Sequence, residues 1–176
     1  AAAQLSGKKS MMNATSETIS DEATVAMKMQ LSTDFQNQLK DALEVYMVLK
    51  DAFVASEVEQ ISSAAANLQV ELQSVENQDL EGMVKSHFEM IQRKLEAISA
   101  SDTLEEQRAA FVILNENMAV LVNNISGIAP DLYLQRCPMA NNSKGAVWLS
   151  SSSEIRNPYY GDAMLTCGSV IDTLGL

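Results

Sequence analysis

Cys137, Met139, Met164 and Cys167 are the side chains best suited to chemistry in this sequence. Cys137-Pro138-Met139 sets a thiol and a thioether two residues apart on backbone that Pro138 stiffens, and Met164-Leu165-Thr166-Cys167 sets a second such pair at i and i+3. On a helical turn the second pair shares a face. Four soft sulfur donors, if they converge, suit a thiophilic ion such as Cu(I) or Ag(I), since Mg2+ and Ca2+ take oxygen. Zinc fits less well, because its sites present Cys and His rather than Met. The spacing leaves three readings open. The thiols are metal ligands; or they form a disulfide worth about 3 kcal/mol to a loop-rich end; or they are buried and inert, with Met139 and Met164 as core filler.

His87 is the one histidine. It falls on the apolar face of the third expected helix, where a histidine is ordinarily a satisfied core group. It joins the ligand set as an outside member if the sulfur-bearing end folds over the first turn of that helix, binding as the neutral imidazole at pH 7. No histidine neighbours a nucleophile, and the chain has no glycine-rich phosphate loop and no HExxH string, so catalysis is not expected.

The elements that must position these groups are helical. The 176 residues are 47% hydrophobic, enough for one domain with a substantial core, and aromatics are scarce at 5%. The net charge of −11 disfavours nucleic acid and anionic membrane surfaces as partners and favours a cation. No apolar run reaches the length of a membrane span, so no membrane insertion is expected. Lys8 and Lys9 have no apolar stretch beside them, so any export signal is expected to have been removed already or never to have been part of this sequence.

Residues 1–31 lack a sustained period and read as a flexible leader or linker, with Met27-Lys28-Met29 as a lesser copper-type spacing more simply read as a docking turn. Residues 32–176 form the expected bundle domain. Phe35, Leu39, Leu43, Tyr46, Leu49 and Phe53 recur at helical steps behind a cap at Ser32 to Asp34. Ser56 to Glu59 matches a capping box for a second helix with Ile61, Ala65, Leu68 and Leu72 inward, ended by Asn77-Gln78-Asp79. A third helix, about Leu80 to Ala100, buries Val84, His87, Ile91, Leu95 and Ile98, with Phe88 flanking. Thr103 to Glu106 is a second capping box, opening a fourth helix that Gly127 and Pro130 stop. Arg108 lies on the inward face of that helix, either as a stem along the core with its head in water or as a brace to an acid or to carbonyls of the C-terminal segment.

The fold expected is therefore all-α, an up-and-down antiparallel four-helix bundle, followed by a loop and short-helix segment carrying Cys and Met. Within that segment, 132–136 and 146–149 are able to pair as a small hairpin. Ser150 to Glu154 resembles a helix start, and Asn157-Pro158 opens a last helix carrying Tyr160, Met164 and Cys167 on one side.

Leu132 to Gly168 contains CPMA (137–140), GAVWLS (145–150), EIRNPYYGD (154–162) and ML-x-CG (164–168). This string resembles an uncharacterised domain family attached to periplasmic adaptor subunits of copper and silver efflux pumps, which also occurs as stand-alone secreted proteins. VYMVLKDAFVASE (45–57) is similar to that family's first helix and EEQRAAF (105–111) to the helix before the sulfur-bearing end, so the likeness spans about Phe35 to Leu174. The resemblance implies a periplasmic, secreted or cell-envelope heavy-metal module, with Cu(I) as the leading ion and Ag(I) the second. An efflux-pump adaptor or metallochaperone is the implied protein partner. The rival expectation is a non-catalytic helical interaction module of such an adaptor, with Cys137–Cys167 as a structural disulfide.

Overall fold

The computed structural model describes residues 31–75, 80–128 and 132–174. The expected leader, the Met27-Lys28-Met29 spacing, the Asn77-Gln78-Asp79 break and the stop at Pro130 lie outside the described residues. Helix α1 (Thr33–Ala55) starts where the Ser32 hydroxyl accepts the Phe35 N–H at 3.3 Å. It buries Phe35, Leu39, Leu43, Tyr46, Leu49 and Phe53 along one stripe. Ser56 closes it in the left-handed conformation, φ 61°. The capping box expected at Ser56 is thereby displaced: an N-cap needs extended backbone, and the left-handed turn that reverses the chain takes that away. Helix α2 (Val58–Ser74) then begins after Glu57 with no side-chain cap and buries Ile61, Ala64, Ala65, Leu68 and Leu72.

Helix α3 (Gly82–Ala100) packs through Phe88, Ile91, Leu95 and Ile98. Phe88 is therefore core rather than flank, and Val84 and His87 are only half-buried. Helix α4 (Leu104–Asn124) is capped as its sequence implies, the Thr103 hydroxyl accepting the Glu106 N–H at 3.3 Å. Hydrogen bonds from Ser101 and Thr103 hold the Glu106 carboxyl below its ordinary value. The helix buries Phe111, Leu114, Met118 and Leu121, together with Gln107 and Asn115. Consecutive helices are packing neighbours, α1 on α2, α2 on α3 and α3 on α4. Among the described residues no helix is long and apolar enough to cross a membrane.

The all-α expectation is corrected by a three-stranded antiparallel sheet in the order β2-β1-β3. Strands β1 (Leu132–Cys137) and β2 (Ala146–Ser150) form the hairpin that the sequence allows, pairing Cys137 with Ala146 and Leu134 with Leu149. Strand β3 (Ser169–Leu174) was not anticipated; it pairs Arg136 with Ser169 and Leu132 with Leu174, with a bulge at Leu134/Gln135. The helix starts expected at Ser150 and Pro158 do not develop: 151–154 is a bend, and only a 3-10 turn, Gly161–Met164, forms later. At 151–154 the Ser150 and Ser152 hydroxyls accept the Ser152 and Glu154 N–H groups, each two residues on, and take the place of a helical turn; after Pro158 the reason is Gly161. It takes φ +55°, and a Cβ there would lie 2.6 Å from Ser56 Oγ and 2.8 Å from Val54 O, so the chain is pressed against the end of α1 instead of continuing a helix.

Strand β2 lies on α4 and touches α1, and a buried polar chain fixes it there. Tyr46 donates to Asn115 Oδ1, Asn115 Nδ2 donates to Tyr159 Oη at 2.9 Å, and Tyr159 donates to the Val147 carbonyl. The Leu149 N–H in turn donates to Tyr46 Oη at 3.1 Å. Desolvation pushes both phenols above their ordinary range, so they remain protonated donors.

Candidate functional site

Cys137 ends β1, and the strand pairing carries it to the start of β3. The turn before β3 can approach that closely because residue 168 has no side chain. At φ +138°, a Cβ on Gly168 would lie 2.9 Å from Arg136 O and 2.9 Å from the rim of the Trp148 ring. Cys167 is consequently laid against Cys137, with 2.7 Å between the two Sγ atoms. Both are free cysteines, Cys137 buried and Cys167 half-buried.

Asn157 holds this arrangement. Its Oδ1 accepts the Tyr159 and Tyr160 N–H groups at 2.8 and 3.3 Å, and its Nδ2 donates to the Cys167 carbonyl at 2.8 Å. Its own N–H reaches the Leu165 carbonyl at 2.8 Å. An Asn before Pro forming such a side-chain turn is the signal that could have found it; read as a helix cap, it pointed to the wrong element.

The two thiols are not equivalent. Burial alone would raise the Cys137 thiol, but hydrogen bonds from the Cys167 thiol, the Met139 and Ala140 N–H groups and the Asn157 amide outweigh it and set Cys137 below the usual thiol value. Cys167 is pushed up, first because its hydrogen donates to Cys137, then by desolvation and by the charge on Cys137. Of the two, Cys137 is thus the thiol that ionises more readily and Cys167 the one that holds its proton longer. We expect thiolate absorbance to titrate in two steps either side of the ordinary thiol range. In Cys167→Ala the remaining thiol should ionise at higher pH than in the parent, because a donor to the thiolate is gone; a lower or unchanged value would contradict the assignment.

Met139, two residues after Cys137, is 50% exposed, and its carbonyl accepts the Tyr160 hydroxyl at 2.8 Å. Met164, half-buried in the 3-10 turn, accepts the Cys167 N–H through its carbonyl at 3.0 Å. Both methionines are therefore tied by backbone to the loops that carry the thiols. His87 stands elsewhere: its Nδ1 lies 2.7 Å from Asn117 Oδ1, across the α3–α4 contact. Among the described residues no three or more His, Cys, Asp or Glu side chains gather as a metal cluster, so the side chains in direct contact at this centre are the two thiols.

Arg108 takes the bracing role rather than the solvated one. Nε donates to Pro158 O at 3.0 Å, and Nη2 donates to Phe53 O at 3.3 Å and Ser56 Oγ at 2.9 Å, joining α4, the end of α1 and the segment that leads to Cys167. The hydroxyl that would have capped α2 serves here instead. Desolvation draws the guanidinium below its ordinary value.

Comparison with known proteins finds no match among curated proteins or solved structures. A family model matches residues 42–128, which run from within α1 through α4 and stop short of the sheet and both cysteines. The helical body of the chain is thus similar to an uncharacterised family, described as a protein of unknown function (DUF3347).

Proposed function

We propose that the protein is a soft-metal module that captures Cu(I), with Ag(I) as the second ion, between Cys137 and Cys167. The observation that supports this is the contact between two thiols far apart in sequence, one of them held below the usual thiol value by the hydrogen bonds it accepts. A monovalent soft ion entering the pair meets one anionic sulfur directly; loss of the Cys167 proton supplies the second. Two thiolates on one ion stand about 4 Å apart for metal–sulfur bonds of about 2.3 Å, so half-buried Cys167 swings outward on loading. Met139 and Met164 are the secondary donors, soft, uncharged and indifferent to pH. With only two thiolates, retention is weak enough for release to a partner.

The resemblance of the 132–168 string to an uncharacterised domain family attached to copper and silver efflux adaptors supports a periplasmic setting and an adaptor or metallochaperone as recipient. An up-and-down bundle would serve as the rigid mount.

A second reading, a helical interaction module with a structural Cys137–Cys167 disulfide, is favoured by the same sulfur contact. Thiol counting on protein purified without reductant separates the two. Two titratable thiols that one equivalent of Cu(I) protects and a Cu(I) chelator restores support the metal module. An absence of titratable thiols, with no Cu(I) uptake after reduction, overturns it in favour of the disulfide.

A further inference from the structure

A cleft of about 570 Å³ opens between the first two turns of α4, the loop joining β1 to β2, and Tyr159-Tyr160. That volume is in the range that holds a small organic molecule. One wall is apolar, made by Leu104, Ala109, Val112 and the tyrosine rings. The other is polar, made by Asn141 and Asn142.

Arg108 also lines the cleft. Its Nε and Nη2 are committed to Pro158, Phe53 and Ser56, while Nη1 has no hydrogen-bond partner among the described residues. Nor does any carboxylate neutralise it among them, since the ion pairs there are Lys50–Asp51 and Arg93–Glu89. A guanidinium drawn partly out of water, fixed by two carbonyls and a hydroxyl and lining an open cleft, has no ion-pair partner among the described residues.

The polar wall is shaped by uncommon backbone. Asn141, Asn142 and Ser143 all take positive φ, 55°, 54° and 62°. Asparagine tolerates that region better than most residues, yet three in succession without glycine is a local cost of the kind found where a loop presents groups to a ligand. It sets both Asn side chains, exposed, at the cleft edge.

We propose that this cleft binds a small monocarboxylate with an apolar or aromatic body, its carboxylate on Arg108 Nη1 and the Asn carboxamides, its body against Leu104, Val112 and Tyr160. Glu105, exposed at the rim, opposes any anion in proportion to its charge, so phosphate dianion and dicarboxylates are disfavoured more than a monocarboxylate. This reading is independent of the metal module.

The test is a titration of the full chain with phenylacetate, followed by backbone amide chemical shifts, with inorganic phosphate as the control. Saturable shifts at Ala109, Asn141 and Asn142 are expected with phenylacetate and not with phosphate. Affinity should fall at least about tenfold in Arg108→Gln and in Ala109→Trp. Ala109 is exposed, so the tryptophan fills the cleft without disturbing the brace, and that variant decides the matter if Arg108→Gln fails to fold. Absence of saturable shifts, shifts confined to other surfaces, equal binding of phosphate, or full affinity in Ala109→Trp would overturn the proposal.

Discussion

Replacing Cys137 and Cys167 together with serine should lower Cu(I) retention against a competing chelator by at least about a thousandfold, ~4 kcal/mol. Serine keeps the size of the side chain and hydrogen-bonds in its place, so the Met139 and Ala140 N–H groups stay satisfied and the bundle should retain its helical signal. What is lost is the soft anionic donor, which a hydroxyl cannot replace for a thiophilic ion. The single variants should rank. Cys137→Ser removes the more readily ionised sulfur, on which four donors converge, and should cost more than Cys167→Ser, which leaves that sulfur short of one donor. Equal retention by the double variant and the parent would sink the metal reading outright. A reversed ranking would leave a site but place its anchoring sulfur on Cys167.

The helical half of this structure was legible because its information is local. Apolar steps from Phe35 to Phe53 and the Thr103 hydroxyl ahead of Glu106 each act within one or two turns, and the structure reproduces them. Ser56 failed because two local rules compete there, and the need to turn the chain won. Strand β3 was illegible for a different reason. Val170 and Ile171 are 38% and 50% exposed, so the strand has no buried face to write a period-two pattern; pairing with β1 alone defines it.

The sulfur pair lies between these cases. Its donors were identifiable by residue type, but their meeting depends on Gly168 against Trp148 and on Asn157 folding its loop shut, both long-range facts. Met139 and Met164 carried the same soft-donor signal, and the structure ties their backbones, rather than their sulfurs, to the thiol loops. His87 looked inward by period, yet its partner is Asn117 on the next helix, a polar match no period reveals.

Phe111→Ala should be the most damaging single core substitution. The ring is fully buried, stacked on Phe53 at 4.1 Å between centroids, with Tyr46 at 6.1 Å and Tyr159 at 5.8 Å. Truncating a buried Phe costs about 3–5 kcal/mol in transfer and cavity terms, which for a domain of this size lowers Tm by roughly 10 °C. The position matters beyond its size. Phe111 joins α4 to α1 and to Tyr159, whose hydroxyl holds β2 and whose ring meets Trp148 edge-on at 6.0 Å. Because Trp148 also bounds Gly168, the cavity should loosen the seat of the sheet and with it the thiol contact. Emission from the single tryptophan should shift to the red, and the Cys137 thiol should ionise closer to the ordinary value. Ile91→Val, on α3 away from that seat, should cost about 1 kcal/mol and change neither signal. A Phe111→Ala variant that loses stability while both signals stay put would show that bundle and sheet are mechanically separate, and that the helices contribute nothing to holding the sulfurs together.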